Sequence, residues 1–116
     1  MTKPKALGYL RRDVSGISQG WHEIQIRSLA ARLGYNLAKT IAFGPRTDSP
    51  ITRLMNAVWA ADAAAVIVPS LWHFDSHLPV ELVKLADVIT VHPETTYARQ
   101  VVPVTSDDSD DGEYMA

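Results

Sequence analysis

The chain contains no cysteine. Disulfide staples and thiolate metal sites are therefore excluded, and a cytoplasmic setting is expected. Long apolar runs are missing as well. Nothing approaches the roughly 20 apolar residues of a membrane span. Met1-Thr2-Lys3-Pro4-Lys5 leads into a short apolar stretch without the apolar core or cleavage site of a secretory signal, so neither membrane insertion nor secretion is expected. No glycine-rich phosphate loop follows that stretch, which counts against a nucleotide site of that type. Residues 102–116 hold no base, only Asp107, Asp108, Asp110, Asp111 and Glu113. With a net charge of −2 overall, the rest of the chain is +3, mildly basic and short of a strong polyanion-binding charge. The tail has almost nothing apolar to bury, so a domain over residues 1–101 and a disordered acidic tail over 102–116 are expected. The tail is either a solubilising end or an acidic mimic covering the basic face.

What is present is an alternation of apolar runs and helical periodicities. Ala6-Leu7-Gly8-Tyr9-Leu10 reads as a buried first strand, ending in Arg11, Arg12, Asp13 and Ser15. A loop is expected over 11–17, then a helix capped by Ser18, with Ile26, Leu29, Ala30 and Leu33 on its buried face and Gly34 closing it. Trp21 also fits the core. Tyr35 to Phe43 reads as a second strand, broken by Gly44-Pro45. Ser49-Pro50 is a helix start with a serine N-cap and proline in the first turn. Ile51, Leu54, Met55, Val58 and Trp59 follow on one face, again assigned to the core. Ala64 to Val68 reads as a central strand buried on both sides. A loop over 69–76, a short helix near 78–86 and a fourth strand, Val88 to Val91, complete the order, with Pro93 ending that strand. Such alternation predicts an α/β fold: one domain, a four-stranded, mostly parallel sheet and helices on both faces.

With the elements placed, the sequence resembles the catalytic domain of serine recombinases of the resolvase/invertase family. Gly8-Tyr9-Leu10-Arg11-Arg12-Asp13 is similar to the family's opening strand. Ile26 to Tyr35 is similar to its first helix and the turn that follows. Ser49 to Val58 resembles its second helix, and Ala65 to Leu71 the strand entering its arginine-rich catalytic loop. The resemblance implies a strand order 2-1-3-4. It places Tyr9 and Arg11 at the family's tyrosine and first arginine, but Asp13 where the nucleophilic serine belongs. Trp72, His73 and Ser76 stand where the resemblance puts an aspartate and two arginines. Ser70 replaces a further common base. Cleaving a phosphodiester needs cations around the charge that builds on the phosphate. Only 25 residues follow Val91, so the family's dimer helix and DNA-reading domain have no counterpart here. The expected function is therefore a catalytically inactive resolvase-like domain, a protein-interaction or regulatory module with a protein partner. It is expected to have at most a weak or indirect link to DNA, no membrane partner and no cofactor. The alternatives are a residual serine-dependent nicking or phosphoryl-transfer enzyme, and a small-molecule or nucleotide-binding domain.

The candidate residues carry two readings each. Arg11 and Arg12, with Ser15, form an anion site at a strand end, or one arginine is solvated and the other pairs with Asp13. Ser15 or Ser18 is a displaced nucleophile with His22 in reach, or a cap or loop hydroxyl. His73 and His77, four apart, are metal ligands or ordinary solvated loop histidines, and no metal is expected. Trp72 and Phe74 are an exposed partner-binding pair, or a cover over the sheet end. Glu94 to Arg99 is a polar segment without assigned chemistry, with Tyr97 folding back over it.

Overall fold

A computed structural model of the chain describes residues 2–100. The acidic tail assigned to residues 102–116 lies outside the described residues. Five strands form one sheet in the order β2-β1-β3-β4-β5. These are β1 (Lys5–Arg11), β2 (Asn36–Phe43), β3 (Ala65–Val68), β4 (Asp87–Thr90) and β5 (Thr95–Tyr97). The first four are parallel, and β5 runs antiparallel to β4. The order expected for the first four strands is the one observed. The strand count is corrected from four to five. Thr95-Thr96-Tyr97 is too short to announce a strand, although its residue types suit one, and becomes one by pairing with the free edge of β4.

Side-chain alternation along the strands sorts the core into two layers. Ala6 and Leu10 of β1, Ala65 and Ile67 of β3 and Ile89 of β4 pack against Ile26, Leu29 and Ala30 of α2 (Gln19–Arg32). Leu7, Tyr9, Val66, Val68 and Val88 point the other way. They meet Leu54 and Val58 of α3 (Pro50–Ala61), and Leu82 and Val83 of α4 (Val80–Val83). The strand order makes this two-sided arrangement natural. The chain leaves β1 towards β2, then crosses back over β1 to reach β3, and crossovers of one hand going in opposite directions fall on opposite faces. All four residues of β3 are buried, as a central parallel strand requires. Gly8 sits where sheet and helix close up: a Cβ there would stand 2.5 Å from Thr40 Oγ1 and 2.9 Å from Ile26 Cγ2.

Several local expectations change. The stretch 11–17 expected as a loop is not one: Arg11 ends β1, and a helical turn, α1 (Arg12–Ser15), and a 3-10 turn over Gly16–Ser18 follow. Gly16, at φ 55°, ends the first and re-aims the chain into α2. Ser18 and Ser49 precede α2 and α3 as expected, but neither side chain makes a capping hydrogen bond. Ser49 is left-handed at φ 47°, ψ 58°, which turns its hydroxyl out of the usual cap geometry. The short helix is only Val80–Val83, following Pro79. Leu33 is half-exposed because α2 ends on Arg32, at the margin of the sheet.

The two helix tryptophans are on the surface. Trp59 lies about 100–140° around α3 from the buried Leu54 and Val58, beyond the stripe the sheet covers. Trp21 belongs with Ile17 and Ile24, a spacing of four then three that forms one face. That face is opposite Ile26, Leu29 and Ala30, so α2 is apolar on two sides and only one meets the sheet. Among the described residues no helix is long and apolar enough to cross a membrane.

Candidate functional site

Open α/β sheets hold ligands outside the carboxyl ends of the strands, where the strand order reverses. Here that place is between Arg11 at the end of β1 and Val68 at the end of β3. The 3-10 turn Leu71–Phe74 folds into it. Ser70 starts this turn by accepting a bond from the Trp72 amide on its hydroxyl. Asp75 and Ser76, both at positive φ, end it.

Two contacts lock the turn to β1. The Arg11 amide donates to Nδ1 of His73 at 2.9 Å. The Arg11 guanidinium donates to Asp75 at 2.7 Å and forms a two-pronged pair with Asp13, at 2.6 and 3.2 Å. These bonds hold the Asp13 carboxyl below its ordinary range and raise the Arg11 guanidinium further. The one cation at the strand end therefore faces two carboxylates. Arg12 goes elsewhere: it is exposed, with its guanidinium alongside Gly44. Arg11, Arg12 and Ser15 thus do not converge on a common anion, and Asp13 sits on Arg11 itself.

His73 is not a solvated loop histidine. It is 1% exposed, because the turn carries it under the sheet end to reach the Arg11 amide. Burial first, then the neighbouring His22 and Arg11, push its pKa down to about 4. It is neutral at pH 7, and with Nδ1 accepting, its proton is on Nε2. His77 is exposed and sits past the end of the turn, so the pair does not share a helix face. No cluster able to hold a metal ion occurs among the described residues.

Phe74 is likewise buried rather than exposed. Its ring stacks on Tyr9 with centroids 5.2 Å apart, and Phe43 meets Tyr9 edge-on at 5.9 Å. The expected exposed pair is thus split, with Phe74 in the core and Trp72 in solvent at 70% exposure. Burial pushes the Tyr9 hydroxyl up to about 12, so it is a neutral phenol.

Ser15 is buried, and its Oγ lies 2.7 Å from His22 Nδ1. His22 in turn stands edge-on to His73, with ring centroids 5.7 Å apart. A serine–imidazole contact is the start of a nucleophile's geometry. The cationic support it needs is occupied, since Arg11 is already paired. The partners that matter most here, Asp75 for Arg11 and His73 for the Arg11 amide, lie more than 60 residues away in sequence. No local pattern announces them. His22 lies seven residues from Ser15 and was within reach of sequence reasoning.

Two clefts flank the turn, and His73 borders both. One, of about 220 Å³, lies on the Tyr9 side. The other, of about 680 Å³, opens over the ends of β3 and β4 between Trp72, His22 and Tyr97. A third, of about 620 Å³, is at the opposite end of the sheet near Trp59 and Arg99. No protein-family model and no curated protein matches this chain.

Proposed function

We propose that the chain is a resolvase-like α/β domain without recombinase chemistry, acting as a protein-interaction or regulatory module. One observation carries this reading: Arg11, the residue matching the family's first arginine, is neutralised by Asp13 and Asp75. A phosphodiester approaching Arg11 would meet a net negative site instead of a cationic cradle. The interaction role is supported by large apolar side chains left in solvent. Trp72 stands on the turn over the carboxyl ends of the strands, and Trp21 and Ile24 on the outward face of α2 join Ile17 of the preceding 3-10 turn.

A serine-dependent reading has one observation in its favour, the 2.7 Å Ser15–His22 contact. Both readings meet the same test. The protein is incubated with supercoiled DNA and examined for nicked product and covalent protein–DNA adduct. The expected result is neither. An adduct that disappears in Ser15→Ala would replace the non-catalytic reading with the serine-dependent one.

A further inference from the structure

We propose that the cleft over the carboxyl ends of β3 and β4 binds an uncharged nucleoside, with its base lying on the Trp72 indole. The inference does not depend on the reading above, because this cleft lies on the far side of the turn from the Arg11–Asp13–Asp75 cluster.

Three observations converge on it. The first is place and size. The cleft opens where parallel strands of an α/β sheet end, and its volume of about 680 Å³ falls in the roughly 300–1,000 Å³ range of small-molecule sites. A base and a ribose fit inside it.

The second is its charge. Among the described residues no Lys, Arg, Asp or Glu borders the cleft. Its polar groups are imidazoles, hydroxyls and the Gln25 amide, and His73 is neutral at pH 7. A phosphate or carboxylate brought here would lose water and meet no Lys or Arg among the described residues. The ligand is therefore neutral, a nucleoside rather than a nucleotide.

The third is a donor with nothing to bond. His73 is 1% exposed and its Nδ1 is filled by the Arg11 amide, so Nε2 carries the proton. That N–H makes no hydrogen bond among the described residues, and buried polar groups are rarely left so. Nearby, His22 is oriented by Ser15, and Gln25 stands one helical turn further along α2. A ligand edge carrying both acceptors and donors meets this set, as the edge of a nucleobase does. Trp72, 70% exposed, supplies the flat apolar platform on which any base can stack.

The test uses the full chain and isothermal titration calorimetry with adenosine, cytidine and thymidine. At least one nucleoside is expected to bind saturably, and its 5′-monophosphate to bind at least roughly tenfold more weakly. Trp72→Ala is expected to weaken binding between roughly fivefold and 150-fold, the usual range for a stacked base, with an unchanged melting temperature because the side chain is in solvent. The inference is overturned if none of the three saturates, or if Trp72→Ala binds like the wild type. It is also overturned if a monophosphate or an oligothymidylate binds more tightly than the matching nucleoside, since that would identify a phosphate-directed site.

Discussion

At position 73 an imidazole does the work of a structural acceptor. Its Nδ1 takes the Arg11 amide at the end of β1, a strand-end N–H that would otherwise be left without a partner. Burial makes this bond conditional on pH. The folded-state pKa of about 4 lies below the ordinary 6.5, so the unfolded chain takes up the proton first. The stability from neutral His73 is fully present above pH 6.5 and declines as pH falls. Its loss is complete only below pH 4. The shift corresponds to about 3 kcal/mol in total, of which about 2 kcal/mol is gone by about pH 5. Urea unfolding at pH 7.5 and pH 5 measures it. His73→Asn keeps an oxygen to accept from the Arg11 amide and cannot titrate, so its stability is expected to change much less over that interval. An equal pH dependence in the variant would assign the effect to other groups. Asp13 also titrates in the acid limb, but its depressed pKa places its loss lower in pH.

Among the elements, α3 shows how a boundary can be legible while its mechanism is not. Ser49-Pro50 correctly marks where the helix begins, because proline is pre-shaped for a first turn. The serine does not cap it. Ser49 is left-handed, a conformation that costs a non-glycine residue about 1–2 kcal/mol, and its hydroxyl makes no cap bond to offset this. Ser49→Gly is therefore expected to leave stability unchanged or raise it by up to about 1 kcal/mol, the relief being partly offset by the greater freedom of the unfolded glycine. A fall in melting temperature of several degrees would instead show a capping role in solution. β5 makes the complementary point. Its Thr-Thr-Tyr residues suit a strand, but three of them make no pattern by themselves, and the pairing with β4 fixes the strand.

On the scale of the whole molecule, the distribution of apolar surface separates core from candidate interface. α2 buries Ile26, Leu29 and Ala30 and presents Trp21 and Ile24 on its other side, next to Ile17 of the preceding 3-10 turn. The double variant Trp21→Ser/Ile24→Ser is expected to stay within about 0.5 kcal/mol of the wild type in chemical denaturation, as changes at exposed positions do. Leu29→Ala on the inner face is expected to cost about 2–5 kcal/mol. A large loss in the double variant would place the outer face within the folding core after all. A small loss leaves it as surface whose retention needs a reason other than stability.

Local composition already carries the alternation of strands and helices, the central place of the third strand, and the identity of most core residues in β1, β3 and β4. These follow from local periodicity and from the rule that a buried parallel strand must be apolar throughout. It also delivered Arg11, Asp13 and Ser15 to a strand end. What those residues do depends on long-range packing. Whether Arg11 is free for an anion or held by Asp75, whether His73 is solvated or buried, and which aromatic of Trp72 and Phe74 is exposed all turn on one short 3-10 turn folding back across the sheet. Its contacts join residues more than 60 positions apart. Trp21 and Trp59 fit a core pattern but stand in solvent for a related reason: periodicity reports that a helix has an apolar face, while the sheet determines how wide a stripe is covered and which of two faces is turned inward.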